Sequence, residues 1–258
     1  MSKILVGINN LTTVSQLAYA NHCQWWYRLG KELPQHDFGL CNPRRMSIDR
    51  MRNFAGKCVV DLNFDYLLFI DDDVLLPMDT VKRLLDADKD IIAGVTLIRG
   101  YPYHPMIFNF LGPIIDEANK CHYVDNYQEK ADPKTGLLEC DAVGFSCCLI
   151  KAQVLRDLEP PYFITGQNHT EDVYFCNKAK TERRGTTVWV DTFVKTAHIL
   201  GDDIIEPDNL GPRMAFDEAM TPGIAAKQKE RDSRQEIIDP KVFRKVDHLK
   251  NIKQEIFG

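Results

Sequence analysis

Apolar runs and amphipathic stretches alternate along the first hundred residues of the chain. Runs that are short and apolar enough to form buried strands lie at residues 3–8, 37–41, 66–70 and 90–98. Segments whose apolar residues recur three or four positions apart predict helices at 14–30, at 48–62 and after Pro77. This alternation of strands and helices is typical of a mostly parallel, doubly wound sheet with helices on both faces.

The order of elements is less regular after residue 100. Short strands are predicted near residues 121–126, 137–142, 146–151, 187–191 and 194–199. A helix is predicted from Thr170 to about Arg183, and two more over residues 222–237 and 240–256. We therefore expect an α/β domain over residues 1–200. A helical C-terminal appendage over residues 201–258 would serve acceptor contact or oligomerisation.

Composition and charge narrow the protein class. The chain has 258 residues, of which 44% are hydrophobic, so disorder throughout and a fibrous structure are excluded. The formal net charge is -5, which gives no overall attraction for nucleic acid. Residues 227–255 carry nine Lys/Arg and six Asp/Glu. These mildly basic predicted helices would be able to contact the phosphate backbone of DNA. A solvated helix or a homodimer contact is the more ordinary interpretation.

Targeting signals and cysteine usage bear on location. No apolar run approaches the roughly 20 residues of a membrane span, and the N-terminal apolar run is too short for a signal peptide. We expect a cytoplasmic protein, in the host cytoplasm if the chain is viral. The eight cysteines form no C-x-x-C pair, which favours reduced, mostly buried thiols over a zinc site.

The most informative segment is YLLFIDDDVLLP at residues 66–77, where three carboxylates follow a predicted buried strand. Ligands of open α/β sheets bind outside the carboxyl ends of the strands, so these aspartates would stand at the mouth of a cleft. Adjacent negative charges repel each other, and a divalent cation relieves that repulsion. Asp71 and Asp73 can share one face of an extended chain while Asp72 points elsewhere. The alternative is a solvated acidic turn before the next helix.

An apolar strand followed by D-x-D resembles the donor site of nucleotide-sugar glycosyltransferases of the GT-A fold. The resemblance is to the family 2-like, bacterial and phage type, and it covers about residues 3–200. Four further features follow in the family's order. They are the Arg52-Asn53 pair, the AVGFSCCLI segment at residues 142–150, Thr170-Glu171-Asp172 at a helix start, and His198 at the end of a strand. The first strand runs into Asn9-Asn10-Leu11-Thr12-Thr13, which departs from the family's usual P-T-x-N-R.

The resemblance implies a Rossmann-like GT-A fold and a metal-dependent transfer of a sugar, with inversion, from a nucleoside diphosphate to an acceptor hydroxyl. UDP-sugars are favoured as donors, and Mn or Mg is the implied metal. The metal would bind Asp71, Asp73 and His198. Contacts to the nucleotide sugar would come from Asp71, Asp72, Arg52, Asn53, Asn9 and Gly144. Asp172 is the expected base, with Glu171 beside it. The acceptor is a glycan, a protein or a hydroxymethylated DNA base.

Plainer interpretations stand beside these. Thr170 and the two acids after it also make a good helix start, His198 also fits a half-buried histidine, and Gly144 also fits a turn. Two other functions remain as alternatives, namely a sugar nucleotidyltransferase and a non-catalytic relative that binds a nucleotide. The nucleotidyltransferase would carry a glycine-rich, basic loop after the first strand, and residues 9–13 contain neither glycine nor lysine nor arginine.

Overall fold

The computed structural model describes residues 1–10, 13–100, 103–115, 123–129, 136–166, 169–201 and 203–208. The helices are α1 (Gln16–Glu32), α2 (Ile48–Asp61), α3 (Thr80–Asp86), α4 (Ala152–Arg156) and α5 (Glu171–Glu182). The strands are β1 (Lys3–Asn9), β2 (Asp37–Cys41), β3 (Tyr66–Asp71), β4 (Val74–Leu75), β5 (Ile91–Val95), β6 (Ile107–Ile115), β7 (Tyr123–Glu129), β8 (Leu137–Cys140), β9 (Ala142–Val143), β10 (Cys147–Lys151), β11 (Val188–Lys195), β12 (Ala197–Leu200) and β13 (Asp203–Ile205).

The main sheet has seven strands in the order β2-β1-β3-β10-β5-β11-β8. β1 pairs in parallel with β2 and β3, and β5 pairs in parallel with β11. β10 is antiparallel to both of its neighbours, and β8 is antiparallel to β11. The predicted mostly parallel α/β sheet is therefore confirmed, with an antiparallel strand inserted between β3 and β5.

Helices cover both faces of this sheet, as the doubly wound pattern predicts. On one face, α2, α4 and α5 pack through apolar side chains such as Val59, Leu155 and Phe175. On the other face, α1 and α3 pack through Trp25 and Leu84. The central strand β3 is buried on both faces, because its residues 67–70 have no exposed surface. Its continuous apolar run is the signature of a strand covered from both sides.

A small sheet of order β13-β12-β4 extends the structure beyond the end of β3. Helix α1 holds strand β4 of this small sheet in place. The amide of Asn21 exchanges two hydrogen bonds with the backbone of Leu76, and the Nε2–H of His22 donates to the carbonyl of Val74 at 2.9 Å. The short chain reversal after the acidic triplet is thereby tied to the main domain.

The chain divides into two compact units. One comprises residues 1–110 and 127–210, and it contains the seven-stranded sheet. The other comprises residues 111–126 and 211–258, of which the structure describes the strand residues 111–115 and 123–126. The helices predicted over 222–237 and 240–256 lie outside the described residues, so the appendage stays a prediction. No helix in the described ranges is long and apolar enough to span a membrane.

Candidate functional site

A cleft of about 650 Å³ opens at the carboxyl edge of the main sheet. Asn9 and Asp71 are the last residues of β1 and β3, and they lie opposite each other in the parallel register. Ser146 precedes the antiparallel β10, and its carbonyl accepts a hydrogen bond from the Asp71 N–H at 3.0 Å. The cleft is lined by Asn9, Ser47, Ile48, Met51, Arg52, Asp71, Asp72, Asp73, Ile98, Arg99, Met106, Ser146, Thr170, Glu171, Asp172 and His198.

Three side chains in the cleft form a candidate metal centre. Ligand atoms of Asp71, Asp73 and His198 all lie within 4.8 Å of one another. Pairing of β4 with β12 brings them together, because His198 lies opposite Val74, the residue after the acidic triplet. The N–H of Ile199 also donates to the carbonyl of Asp73 at 2.8 Å. The histidine reaches the aspartates through backbone pairing between segments that are far apart in sequence.

His198 is held in the form that a metal ligand requires. Its ring is 3% exposed, and its Nδ1–H donates to the carbonyl of Leu97 at 2.6 Å. That hydrogen bond fixes the tautomer and leaves a lone pair on Nε2. Burial lowers the pKa of His198, although the charge of Asp73 opposes this shift. The imidazole is therefore neutral at physiological pH, as metal ligation demands.

The aspartates show the electrostatic strain of an acidic site. The Oδ1 atom of Asp73 is buried and has no hydrogen-bond partner, whereas its Oδ2 atom lies 2.5 Å from Arg99 Nη2. Burial raises the pKa of Asp73, and burial together with the charges of Asp73 and Asp71 raises the pKa of Asp72 to about 6. An unpartnered carboxylate oxygen beside a second carboxylate and a neutral imidazole fits a divalent cation.

Arg52 links the metal centre to the start of α5. Its Nη1 lies 2.5 Å from Glu171 Oε1, and its Nη2 lies 3.3 Å from Asp71 Oδ1. The guanidinium sits 5.4 Å from the ring centres of both Phe69 and Phe145. Burial opposes the charge of Arg52, but the carboxylates around it, Asp71 first, outweigh that effect and raise its pKa. Arg52 is thus a permanently charged, buried link between two functional elements.

Glu171 and Asp172 have different surroundings although both are buried. Both Glu171 oxygens are engaged, one by Arg52 and the other by Thr165 Oγ1 at 3.4 Å. Asp172 bonds through Oδ1 to the Thr170 hydroxyl and accepts the N–H of Val173 at 2.8 Å. Both carboxylates line the cleft at the N-terminus of α5, where the helix dipole favours negative charge. Asp172 is the one that is not paired with an arginine.

Two residues predicted to contact a nucleotide sugar are not brought into the cleft. The side chain of Asn53 accepts the N–H groups of Tyr162 and Phe163 and donates to the carbonyl of Phe163 at 2.6 Å. Asn53 is therefore turned towards the backbone of Tyr162 and Phe163, about 100° around the helix from Arg52, and not into the cleft. Gly144 lies behind Met106, and a Cβ added to it would come within 2.7 Å of Met106 Cε.

Asn9 does line the cleft, and it does so with an unusual lack of partners. Its side chain is 4% exposed, yet neither the amide oxygen nor the amide nitrogen has a hydrogen-bond partner. Buried polar groups are usually satisfied. Arg99 and Ser146 also line the cleft. Ser146 lies within the AVGFSCCLI segment, whereas Arg99 belongs to none of the predicted motifs. An arginine a few residues beyond a buried strand, on the same sheet edge as the aspartates, was the signal available for Arg99.

Comparisons with known proteins support the fold. No family model matches the sequence, and no curated protein does. Among solved structures, A197 from STIV is 17% identical, with 81% of this chain and 91% of that chain covered and a TM-score of 0.53. This likeness shows a shared Rossmann-like α/β fold.

Two other solved structures have lower scores. UDP-glucose pyrophosphorylase complexed with UDP-glucose is 8% identical, covers 76% of this chain and 93% of its own, and has a TM-score of 0.41. The inositol-1-phosphate CTP transferase from T. maritima is 12% identical, covers 83% and 93%, and has a TM-score of 0.40. These two scores are too low to bear on the function of the chain.

Proposed function

We propose that the protein is a metal-dependent glycosyltransferase that moves a sugar from a nucleoside diphosphate to an acceptor hydroxyl. The observation that carries this proposal is the convergence of Asp71, Asp73 and His198 within 4.8 Å, in the same cleft as Asp172. A cation held by these three residues would offset the negative charge that develops on the leaving diphosphate. A base and a diphosphate site in one cleft are the two requirements of inverting sugar transfer.

Asp172 is the proposed base. It lines the cleft without an arginine partner among the described residues, and its carboxylate would accept the proton of the attacking hydroxyl. Glu171 is instead paired with Arg52 at 2.5 Å, so we assign it to positioning rather than to proton transfer. Asn9 supplies a free amide donor and acceptor at the end of β1, where it would contact the nucleotide.

A sugar nucleotidyltransferase is the alternative reaction. The absence of glycine, lysine and arginine from residues 9–13 argues against it, because that reaction needs cationic and backbone groups around a triphosphate. The two reactions differ in their products. A nucleotidyltransferase releases pyrophosphate from a nucleoside triphosphate and a sugar phosphate, whereas a glycosyltransferase releases a nucleoside diphosphate from a nucleotide sugar.

The first experiment is a thermal-shift panel of nucleoside diphosphates and nucleotide sugars, each with Mn²⁺, Mg²⁺ or chelator. A ligand at 100 times its Kd stabilises a folded protein by about 2.7 kcal/mol, and we expect one nucleotide to give a shift that the chelator abolishes. Donor hydrolysis, with water in place of the acceptor, then measures turnover. A panel of glycans, proteins and hydroxymethylated DNA would identify the acceptor.

Matched variants separate binding from chemistry. Asp73→Asn should abolish the metal-dependent shift, because it removes a charged ligand. Asp172→Asn should keep that shift and lower turnover by roughly 10²–10⁴-fold. Asp79→Asn changes an exposed acid just beyond the triplet and should leave both measurements unchanged. Metal-dependent binding that survives in Asp73→Asn would overturn the assignment of the metal centre.

A further inference from the structure

Arg99 and a cation compete for the same carboxylate. Arg99 Nη2 lies 2.5 Å from Asp73 Oδ2, and Asp73 is one of the three residues of the candidate metal centre. A carboxylate oxygen that is paired with a guanidinium carries less free charge for a metal. A divalent ion bound to Asp73 would also repel the guanidinium at this short distance. A cation bound to Asp73 Oδ1 would therefore weaken the ion pair that Arg99 makes with Oδ2 of the same carboxylate.

Hydrogen bonds hold the backbone next to Arg99, whereas its side chain is exposed apart from the ion pair with Asp73. The preceding residue, Ile98, donates its N–H to the carbonyl of His104 at 2.9 Å, and the N–H of Tyr103 donates to the carbonyl of Gly100 at 2.8 Å. Leu97, two residues before Arg99, accepts the hydrogen bond from His198. The side chain of Arg99 is nevertheless 53% exposed. Release from Asp73 would leave the guanidinium in the cleft, beside the metal centre and without this ion pair.

The charged side chains that line the cleft indicate what the released guanidinium would bind. The described residues that line the cleft include five carboxylates and two arginines. Arg52 is buried and committed to Glu171 and Asp71, so it cannot move to a ligand. Arg99 is the remaining arginine of that lining. A guanidinium is well suited to bind the paired oxygens of a diphosphate.

We propose that Arg99 is an exchangeable counter-ion, which neutralises Asp73 before the metal binds and binds the diphosphate of the nucleotide afterwards. This inference rests on the proposed function, since it needs a metal and a diphosphate in the cleft. It assigns to one side chain two effects of opposite sign. Arg99 weakens the binding of the metal alone, and it strengthens the binding of the diphosphate to the metal-loaded protein.

The test uses the full chain with Mn²⁺ and inorganic pyrophosphate as probes, because pyrophosphate requires no knowledge of the base. Isothermal titration would give the Kd of Mn²⁺ alone and the Kd of pyrophosphate at saturating Mn²⁺. For Arg99→Gln we expect Mn²⁺ to bind about tenfold more tightly and pyrophosphate about tenfold more weakly, as for one charge-assisted contact. Arg99→Lys keeps the charge and should stay closer to the wild type in both.

The control is Arg184→Gln, which removes an exposed arginine outside the cleft lining and should change neither Kd. Mn²⁺ affinity in Arg99→Gln that is unchanged or weaker would overturn the competition with the metal. Unchanged pyrophosphate affinity would overturn the transfer to the diphosphate. If the wild type binds neither probe, the proposed function itself fails and this inference fails with it. Wild-type binding without the opposed changes refutes the role of Arg99 alone.

Discussion

Replacing Arg52 with methionine would leave the buried carboxylate of Glu171 and the partly buried carboxylate of Asp71 without their counter-ion. The side chains of Arg52 and Glu171 are 3% and 7% exposed, and that of Asp71 is 19% exposed. Removing one partner of a buried ion pair costs about 3–5 kcal/mol, since the remaining charge stays desolvated. Methionine retains most of the contact with Phe69 and Phe145, so loss of packing adds little.

We therefore expect Arg52→Met to lower the free energy of unfolding by about 3–5 kcal/mol, measured by urea denaturation without metal at pH 7. This is a large part of the typical 5–15 kcal/mol of a folded domain. Arg52→Lys keeps the charge but loses the planar fork, and it should cost about 1–2 kcal/mol. Burial raises the pKa of Glu171, so the deficit of Arg52→Met should shrink as the pH falls towards that pKa and the carboxyl is neutralised.

A double-mutant cycle gives the decisive result. In the Arg52→Met background, Glu171→Gln removes the unpaired charge and should recover part of the lost stability, with a coupling energy of about 1–3 kcal/mol. The exposed pair Lys57–Asp61 is the control, and Lys57→Met should not change stability measurably. A loss below about 1 kcal/mol in Arg52→Met, or zero coupling to Glu171, would refute the reasoning that this pair is a desolvated link.

Three further substitutions test other parts of the structure. Gly144→Ala should destabilise the protein by about 1–3 kcal/mol, because its new Cβ would lie 2.8 Å from Met106 Cβ, which is fixed to the backbone. Gly30→Ala, on an open helix surface, should stabilise it by roughly 0.5–1 kcal/mol, and thermal melts would measure both. Burial lowers the pKa of His22, so the unfolded state binds more protons, and stability should fall as the pH drops below 6.5. His22→Gln should show a shallower loss in denaturation series between pH 7 and 5, and an equally steep loss would contradict this role.

The parts of the fold that sequence predicts well are those with strong local patterns. Residues 66–70 are apolar without interruption and three acids follow them, so both the burial of β3 and the position of Asp71 at its carboxyl end follow from the sequence. The start of α5 at Glu171 follows in the same way from Thr170 and two acids. Residues that are close together in sequence determine these two features, and both are present in the structure.

Features that depend on pairing between distant segments are harder to predict from the sequence. The antiparallel insertion of β10 between β3 and β5 has no local signature, because its apolar run would suit either direction. The ion pair of Arg52 with Glu171 joins residues 119 positions apart. The contact of Asn53 with the backbone of Tyr162 and Phe163 joins residues 109 and 110 positions apart, so it too depends on distant pairing.

Backbone hydrogen bonds, together with the ion pairs from Arg52 and Arg99, hold the acidic site together. The main chain of Asp71 is bonded to Ser146, that of Asp73 is bonded to Ile199, and the ring of His198 is bonded to the carbonyl of Leu97. These contacts keep repelling carboxylates within 4.8 Å of one another, and desolvation makes that arrangement costly. A fold that maintains such repulsion has its ligands placed before a cation arrives. Metal binding would then relieve the repulsion already present in the folded chain and would need little rearrangement of the backbone.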